Sequence, residues 1–208
     1  MQQLLSGSDI RETAREGWKV HRLGDLFSER IETDHPELPL LSITGEEGVV
    51  DRESTGRKDT SSEDKSKYLR IHPGDIGYNT MRMWQGVSAL SSLEGIVSPA
   101  YTIITPEREI KGEYAAHLFK YPPIVNQFYR YSQGLTSDTW NLKFDNFSEI
   151  TVRVPNLKQQ LRVIQVLGTV IRERRLLQKQ IEALSSQKSF LMSKLLTGEW
   201  EAPELKTR

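Results

Sequence analysis

Hydrophobic and polar positions follow two different patterns along the chain. From Trp18 to Pro155, short apolar runs alternate with polar turns, which is typical of short strands and helices. From Lys158 to Leu196 there is no Pro and a single Gly, and apolar side chains recur about every 3.5 residues. We therefore predict an α+β fold class, with one mixed α/β domain followed by a long C-terminal coiled-coil helix.

The predicted helix carries one apolar stripe. Between 163 and 195, ten positions separated alternately by four and three residues hold eight apolar side chains, and Arg174 and Lys188 fill the other two. A lone helix with such a seam needs a partner helix. Thr197-Gly198 is a fitting end, with Gly198 just past the last turn. The predicted seam consists of Val163, Leu167, Val170, Leu177, Ile181, Leu184, Leu191 and Leu195.

The elements of the first domain follow from the same patterns. Asp25 is expected to cap a short helical turn, and Pro122-Pro123 to divide a helical region into two helices. Strand patterns cover 38–43, 68–78, 95–105 and 139–154, and the helical spacing covers 113–131. We expect a polar lead-in at 1–17, a domain at 18–155, the helix at 156–198 and a tail at 199–208.

Composition narrows the class of protein. The 208 residues include no Cys, which excludes a disulfide scaffold, a thiolate zinc site and a Cys nucleophile. No apolar run is long enough to span a membrane, and the N-terminus lacks a secretory signal, so we expect a cytoplasmic protein. The net charge of zero is the sum of an acidic N-terminal part and a basic C-terminal part. Residues 157–208 carry ten basic and five acidic side chains (+5), and residues 1–156 carry 18 basic and 23 acidic (−5).

Catalytic signatures are absent from the sequence. There is no GxxxxGK loop, no GxGxxG and no GxSxG, and the four His have no metal-ligand spacing. Asp59, Glu63 and Lys65 superficially resemble a nuclease carboxylate set, but they lack the apolar neighbours of a strand that would hold Mg²⁺. We expect no enzyme activity and no bound metal or cofactor.

Two segments concentrate side chains that suit nucleic acid. Residues 78–86 and 130–141 each combine Arg, Asn or Gln, which contact base edges, with aromatic residues and Gly. The alternative is that Trp84 and Trp140 anchor a core and that the polar residues satisfy loop backbone. A related alternative is that Arg82 and Trp84 hold the shape of their loop.

The ordered motifs resemble one family, the DNA specificity (S) subunits of type I restriction-modification enzymes. The resemblance begins with Trp18-Lys19 and Leu23-Gly24-Asp25, and it is dense from Pro73 to Gly86 and from Gly95 to Tyr101. It continues at the points Gly134-Leu135-Thr136, Trp140-Asn141-Leu142, 150–155, Gln160, Val163-Ile164 and Leu195-Leu196-Thr197-Gly198. It covers about residues 17–200, and Gln159, where the family often has Glu, is a mild departure.

The resemblance implies a role and a set of partners. S subunits have no catalytic site: each target-recognition domain reads half of a bipartite DNA sequence, and helices act as spacers and dock methyltransferase (M) subunits. The M subunits methylate adenine at N6, and the restriction (R) subunit cuts. The resemblance thus implies double-stranded DNA, M subunits and an R subunit as partners, with S-adenosylmethionine, ATP and Mg²⁺ on those partner subunits and no membrane.

Residue roles follow on that basis. For base recognition we expect Asn79, Arg82 and Gln85 in the first segment and Gln133, Thr136, Ser137 and Asn141 in the second. For phosphates we expect Lys65, Lys67 and Lys143.

The length of the chain, together with the family resemblance, predicts a homodimer. A usual S subunit has two recognition domains and two spacer helices, and this chain has one of each, which predicts a half-sized subunit that homodimerises through its helix and reads an interrupted palindrome. The start at Met1 and the tail slightly favour a complete chain. Two alternatives are a fragment of a longer S subunit and a coiled-coil adaptor whose head binds protein.

Overall fold

The computed structural model describes residues 17–45, 47–53, 64–136 and 139–201. Its elements in chain order are β1 (Trp18–Arg22), α1 (Leu23–Leu26), β2 (Phe27–Arg30), β3 (Leu41–Thr44), β4 (Gly48–Asp51), β5 (Leu69–Ile71), β6 (Ile76–Asn79), a 3-10 turn (Met83–Gln85), β7 (Ser88–Leu90), β8 (Gly95–Val97), β9 (Tyr101–Pro106), α2 (Gly112–Leu118), α3 (Pro122–Tyr131), α4 (Phe144–Ser148), β10 (Thr151–Pro155) and α5 (Leu157–Leu196). The predicted α+β class with a long C-terminal helix is confirmed. No helix in these ranges is long and apolar enough to cross a membrane.

The strands form one larger antiparallel sheet and three two-stranded pairs. The larger sheet has the order β2-β9-β6-β7, and the pairs are β1-β10, β3-β4 and β5-β8. In the first pair, Trp18 lies opposite Pro155, so the two ends of the domain are hydrogen-bonded together. A strand pairing over such a sequence separation fixes where the chain leaves the domain and starts α5.

The core has an aromatic and an aliphatic part. Tyr78 and four Phe side chains are fully buried, with ring centroids 5.3–6.1 Å apart in tilted, stacked and edge contacts. Aliphatic side chains from the strands pack around Ile43, Ile71 and Ile103. Gly77 allows this packing, because a Cβ there would lie 2.2 Å from Ile43 Cδ1. The four Phe are Phe27, Phe119, Phe128 and Phe147.

Gln160 joins the first turn of α5 to the domain. Its side chain is fully buried; Oε1 accepts a hydrogen bond from Lys111 N at 2.9 Å, and Nε2 donates to Glu109 O at 2.9 Å and Pro155 O at 2.8 Å. Both hydrogens of the amide nitrogen and the amide oxygen are thus bonded to backbone groups of the domain and of the segment that enters α5.

Most predicted elements are present, and two predictions are wrong. Pro122-Pro123 divides two helices as predicted, and Gly198 has a φ of 73° just past the end of α5. Asp25 is not the cap of α1: Arg22 is, and Asp25 lies three residues later, accepting a hydrogen bond from Arg22 N. Of the strand predicted over 139–154, only residues 151–154 are in a strand, and residues 144–148 are helical because Phe144 and Phe147 lie on one helical face and pack against each other at 6.0 Å.

The contacts of the chain divide it into two units within α5, one ending at Ile164 and the other starting at Gln165. In the second unit the helix surface is exposed over most of its length. Two of the predicted seam residues, Val163 and Leu167, are buried in the single chain, and the six further along are exposed by 38–63%. The predicted seam thus has its unpartnered portion from Val170 to Leu195.

Candidate nucleic-acid interface

Two loops that are distant in sequence lie together at one edge of the domain. The first loop, residues 79–87, follows β6, and the second loop, residues 132–143, follows α3. Leu142 N donates to Thr80 O at 2.8 Å, and the Trp84 and Trp140 rings meet edge to face at 5.3 Å. The structure therefore brings together the two segments that the sequence singled out for nucleic-acid chemistry.

Side chains of the first loop fix its backbone. Asn79 Oδ1 accepts a hydrogen bond from Met81 N at 3.0 Å, and Trp84 Nε1 donates to Met81 O at 2.9 Å. Gly86 has a φ of 76°, which closes the 3-10 turn. With this frame in place, Arg82 and Gln85 are exposed on its surface.

Lys120 holds the other side of the first loop. Its Nζ donates to Gly86 O at 2.5 Å and to Ser88 O at 2.8 Å, and burial lowers the pKa of this ammonium group. The residue lies between α2 and α3, so the helical layer is joined directly to the backbone of the loop. The sequence around Lys120 does not predict that its ammonium group contacts the backbone of the first loop.

The second loop is braced by hydrogen bonds among its described residues. Gln133 and Asn141 exchange two backbone hydrogen bonds of 2.8 Å, and Thr139 Oγ1 both accepts from Thr136 N and donates to Thr136 O. Gly134 has a φ of 146°, and a Cβ there would lie 2.6 Å from the carbonyl of Thr139. A larger residue at that position would force the two sides of the loop apart.

Three aromatic rings join the loops to α3. Trp140 lies against Trp84 and, at 4.8 Å, against Tyr129. Trp84 and Trp140 are both half-buried and lie outside the fully buried core. They therefore hold the loops together rather than anchor the core, and Tyr129 is a third member that the sequence analysis missed.

A shallow cavity of about 480 Å³ opens between the first loop and α3. Its lining mixes aromatic rings, two amides and an ammonium group, a combination that suits the edge of a polar, flat molecule. The lining consists of Trp84, Gln85, Lys120, Pro122, Val125, Asn126 and Tyr129.

The predicted base-recognition residues occupy two kinds of position. Arg82, Gln85, Gln133 and Thr136 are exposed. Asn79 and Asn141 are partly buried, and their side chains bond to their own loops, Asn141 Nδ2 to Thr139 O at 3.2 Å. Ser137 lies outside the described residues.

The predicted phosphate contacts are divided between two places. Lys143 directly follows Leu142, is exposed, and precedes the first turn of α4. Lys65 and Lys67 lie before β5 instead, in a segment whose Ser66 O accepts from Asp34 N at 3.1 Å. Only Lys143 therefore belongs to the two loops.

Acidic side chains near β5 are neutralised by basic neighbours. Glu32 lies 2.6 Å from Arg70 and 3.2 Å from His72, and hydrogen bonds from these two groups hold the Glu32 pKa at about 2. Arg70 also pairs with Glu94, and Arg30 pairs with buried Asp75 at 2.8 Å. The three carboxylates and two guanidinium groups of this cluster sum to −1, so most of the balance of −5 over residues 1–156 comes from other side chains. Within the described ranges, no cluster of three His, Asp or Glu is arranged to hold a metal ion.

Comparisons with known proteins give a structural likeness. Neither a protein-family model nor a curated protein sequence matches the chain. The HsdS subunit of Thermoanaerobacter tengcongensis superimposes on 86% of it with a TM-score of 0.53 and 13% identity. The S subunit of a type I restriction-modification system from M. genitalium superimposes on 98%, with a TM-score of 0.55 and 14% identity.

A third solved structure, described as showing complex assembly and conformational transition of the type I R-M system, covers 93% of the chain with a TM-score of 0.50 and 14% identity. The chain spans 44%, 45% and 52% of the three matched chains, in the order HsdS subunit, type I R-M complex and M. genitalium subunit. It therefore has the fold of type I restriction-modification S subunits, over about half of their length.

Proposed function

We propose that this protein is a DNA specificity subunit of a type I restriction-modification system, without catalytic activity of its own. The main support for the proposal is that the two loops are held together by a backbone hydrogen bond and by the contact between Trp84 and Trp140. The joined loops expose Arg82, Gln85 and Gln133. Guanidinium and amide groups make the paired hydrogen bonds that distinguish bases in the major groove. The fold shared with S subunits supports the same function.

Charge near the loops is compatible with DNA. Exposed Arg82, Arg130 and Lys143 lie on or beside the loops, whereas Glu32, Asp75 and Glu94 are paired with basic groups around β5. Phosphates would meet the basic side chains, while the paired acids contribute little repulsion. The balance of −5 over residues 1–156 therefore does not exclude binding to a duplex.

A second copy of the chain is the proposed partner of α5. The helix has 40 residues, about 60 Å at 1.5 Å per residue, with six seam residues exposed. A two-fold axis would place two identical domains at a fixed separation on an interrupted palindrome. Light scattering should give about 48 kDa, twice the chain mass of 23.9 kDa. A monomer at micromolar concentration without M subunits would oppose this part of the proposal.

Selection from a random-sequence duplex library, with M subunits present, tests DNA specificity. We expect enrichment of one bipartite motif and M-dependent methylation of adenine at N6 within it. R subunits would then cut DNA that lacks the modification. A library that shows no bipartite motif would contradict the proposal and favour the alternative, a coiled-coil adaptor whose head binds protein.

Alanine at Arg82 or Gln133 should relax recognition of one base pair. Removing a base-reading side chain costs about 1–3 kcal/mol for the correct sequence and much less for others. The measurement is repeated library selection with each variant, and Arg153→Ala, exposed on β10, is the control. An unchanged motif with both variants would overturn this assignment of base contacts.

Lys143→Ala should weaken all DNA sequences alike. A phosphate contact carries no sequence information, so the motif stays the same while the slope of log K against log salt concentration falls by about 0.9 in magnitude. Titrations of specific and random duplexes over a range of salt concentrations measure both effects. A loss confined to the specific duplex would instead assign Lys143 to base reading.

A further inference from the structure

Leu135 is conspicuous among the described residues for its exposure. Its side chain is completely exposed, at 101% of the reference value, whereas the other exposed large apolar residues are exposed by at most 80%. Burial of an apolar side chain away from water is favourable. A residue held fully in water on a binding surface is therefore positioned to gain that free energy from a partner.

The loop around Leu135 is too well braced for the side chain to fold back. On its N-terminal side, Gln133 exchanges two backbone hydrogen bonds with Asn141. On its C-terminal side, Thr136 is bonded to Thr139 through both N and O. The exposed position of Leu135 is thus set by the backbone of the second loop, so little backbone entropy is lost when a partner binds.

The surroundings favour DNA over protein as that partner. Leu135 is flanked by Gly134 and Thr136 and lies beside Gln133, which are small or polar residues. Exposed Arg82, Arg130 and Lys143 lie on or beside the same loops, and such charges suit phosphates, whereas the centre of a protein interface is depleted of charged residues. A single exposed aliphatic side chain on such a loop is comparable to the apolar wedges that DNA-bending proteins insert between base pairs from the minor groove, but here it would enter from the groove that the loop reads.

We propose that Leu135 is such a wedge, which enters one base step of the target and kinks the duplex; this rests on the proposed function. Insertion of the side chain unstacks the step, and burial of Leu135 together with contacts from the bent DNA offsets the cost of unstacking. Pyrimidine–purine steps unstack most readily. The selected motif should therefore contain a TA or CA/TG step at the position of Leu135, read through its deformability.

The test uses the full chain, M subunits and the duplex enriched in the library selection, with 2-aminopurine placed in turn at each step. The wild-type complex should raise the fluorescence at one step, which reports unstacking, and Leu135→Ala should abolish the rise while the motif's directly read bases stay the same. Leu135→Met should retain it. Ile31→Ala, at a residue exposed by 74% outside the loops, is the matched control and should change nothing.

Four outcomes overturn the wedge. An enriched motif with no unstacked step, or with the same fluorescence in Leu135→Ala, removes the wedge and leaves the proposed function intact. A Leu135→Ala effect that is reproduced by replacing thymine with uracil, without unstacking, would make Leu135 a reader of a thymine methyl group. Failure to enrich any motif removes the proposed function and the wedge together.

Discussion

Replacing Leu177, Ile181 and Leu184 together by Asp should abolish self-association. These side chains are exposed by 58–63% in the single chain, so their replacement leaves the packing of the first unit unchanged. In a two-stranded seam they would be buried, and six carboxylates would lose their hydration at several kcal/mol each. Light scattering should then give about 24 kDa instead of about 48 kDa, and M subunits that dock on the paired helices should no longer co-purify.

The control places the same charge on another face of the helix. Ser186, Ser189 and Ser193 lie outside the seam positions and are exposed. Replacing all three by Asp adds three negative charges, as the seam variant does, and should leave the mass and M-subunit binding unchanged. Equal loss in both variants would mean that charge rather than the apolar seam controls association, and equal retention would exclude the seam as the contact.

Replacing Gln160 by Leu should produce a large loss of stability in the first unit. The change keeps most of the side-chain volume but leaves Lys111 N, Glu109 O and Pro155 O without their partner. Each unsatisfied buried backbone group costs about 1–3 kcal/mol, and we expect the free energy of unfolding to fall by about 3–5 kcal/mol. Urea denaturation followed by tryptophan fluorescence measures the change.

The matched control is Gln165→Leu, the same substitution one and a half turns further along α5. Gln165 is exposed, so its effect should stay within about 0.5 kcal/mol. Gln160→Glu should be at least as damaging as Gln160→Leu, because a carboxylate cannot donate to the two carbonyl groups and would be desolvated. A loss below 1 kcal/mol in both Gln160 variants would show that water replaces the amide.

Sequence reasoning reached those features that local patterns encode. The 3.5-residue period predicts α5, and Pro122-Pro123 predicts the division between α2 and α3. The prediction that Asp25 caps the helix is wrong because the capping residue is Arg22, three residues earlier. Asp25 lies in the first turn, where its side chain accepts a hydrogen bond from the backbone N–H of Arg22. The prediction of an extended segment at 144–148 is wrong because Phe144 and Phe147 are three residues apart, a spacing that puts both on one face of a short helix against the Phe cluster.

The residue types of the site could be predicted from the sequence, but the contacts between its two loops could not. Residue types indicated two polar, aromatic segments, but the hydrogen bond between Leu142 N and Thr80 O depends on tertiary structure. The same holds for Lys120, whose contacts with Gly86 O and Ser88 O cross more than 30 residues of sequence. Packing also gives the amide side chains different roles: Asn79 and Asn141 bond within their own loops, while exposed Gln133 donates from Nε2 to Asn146 Oδ1 at 3.3 Å.

Single-molecule methylome sequencing of the host, with and without the gene, tests the central claim most directly. We predict N6-methyladenine in one interrupted palindrome in the wild type, complete loss of that modification on deletion, and its return with the restored gene. Restoration with the Arg82→Ala, Gln133→Ala variant should return a degenerate motif. Methylation that is identical with and without the gene would contradict the assignment of this protein as a DNA specificity subunit.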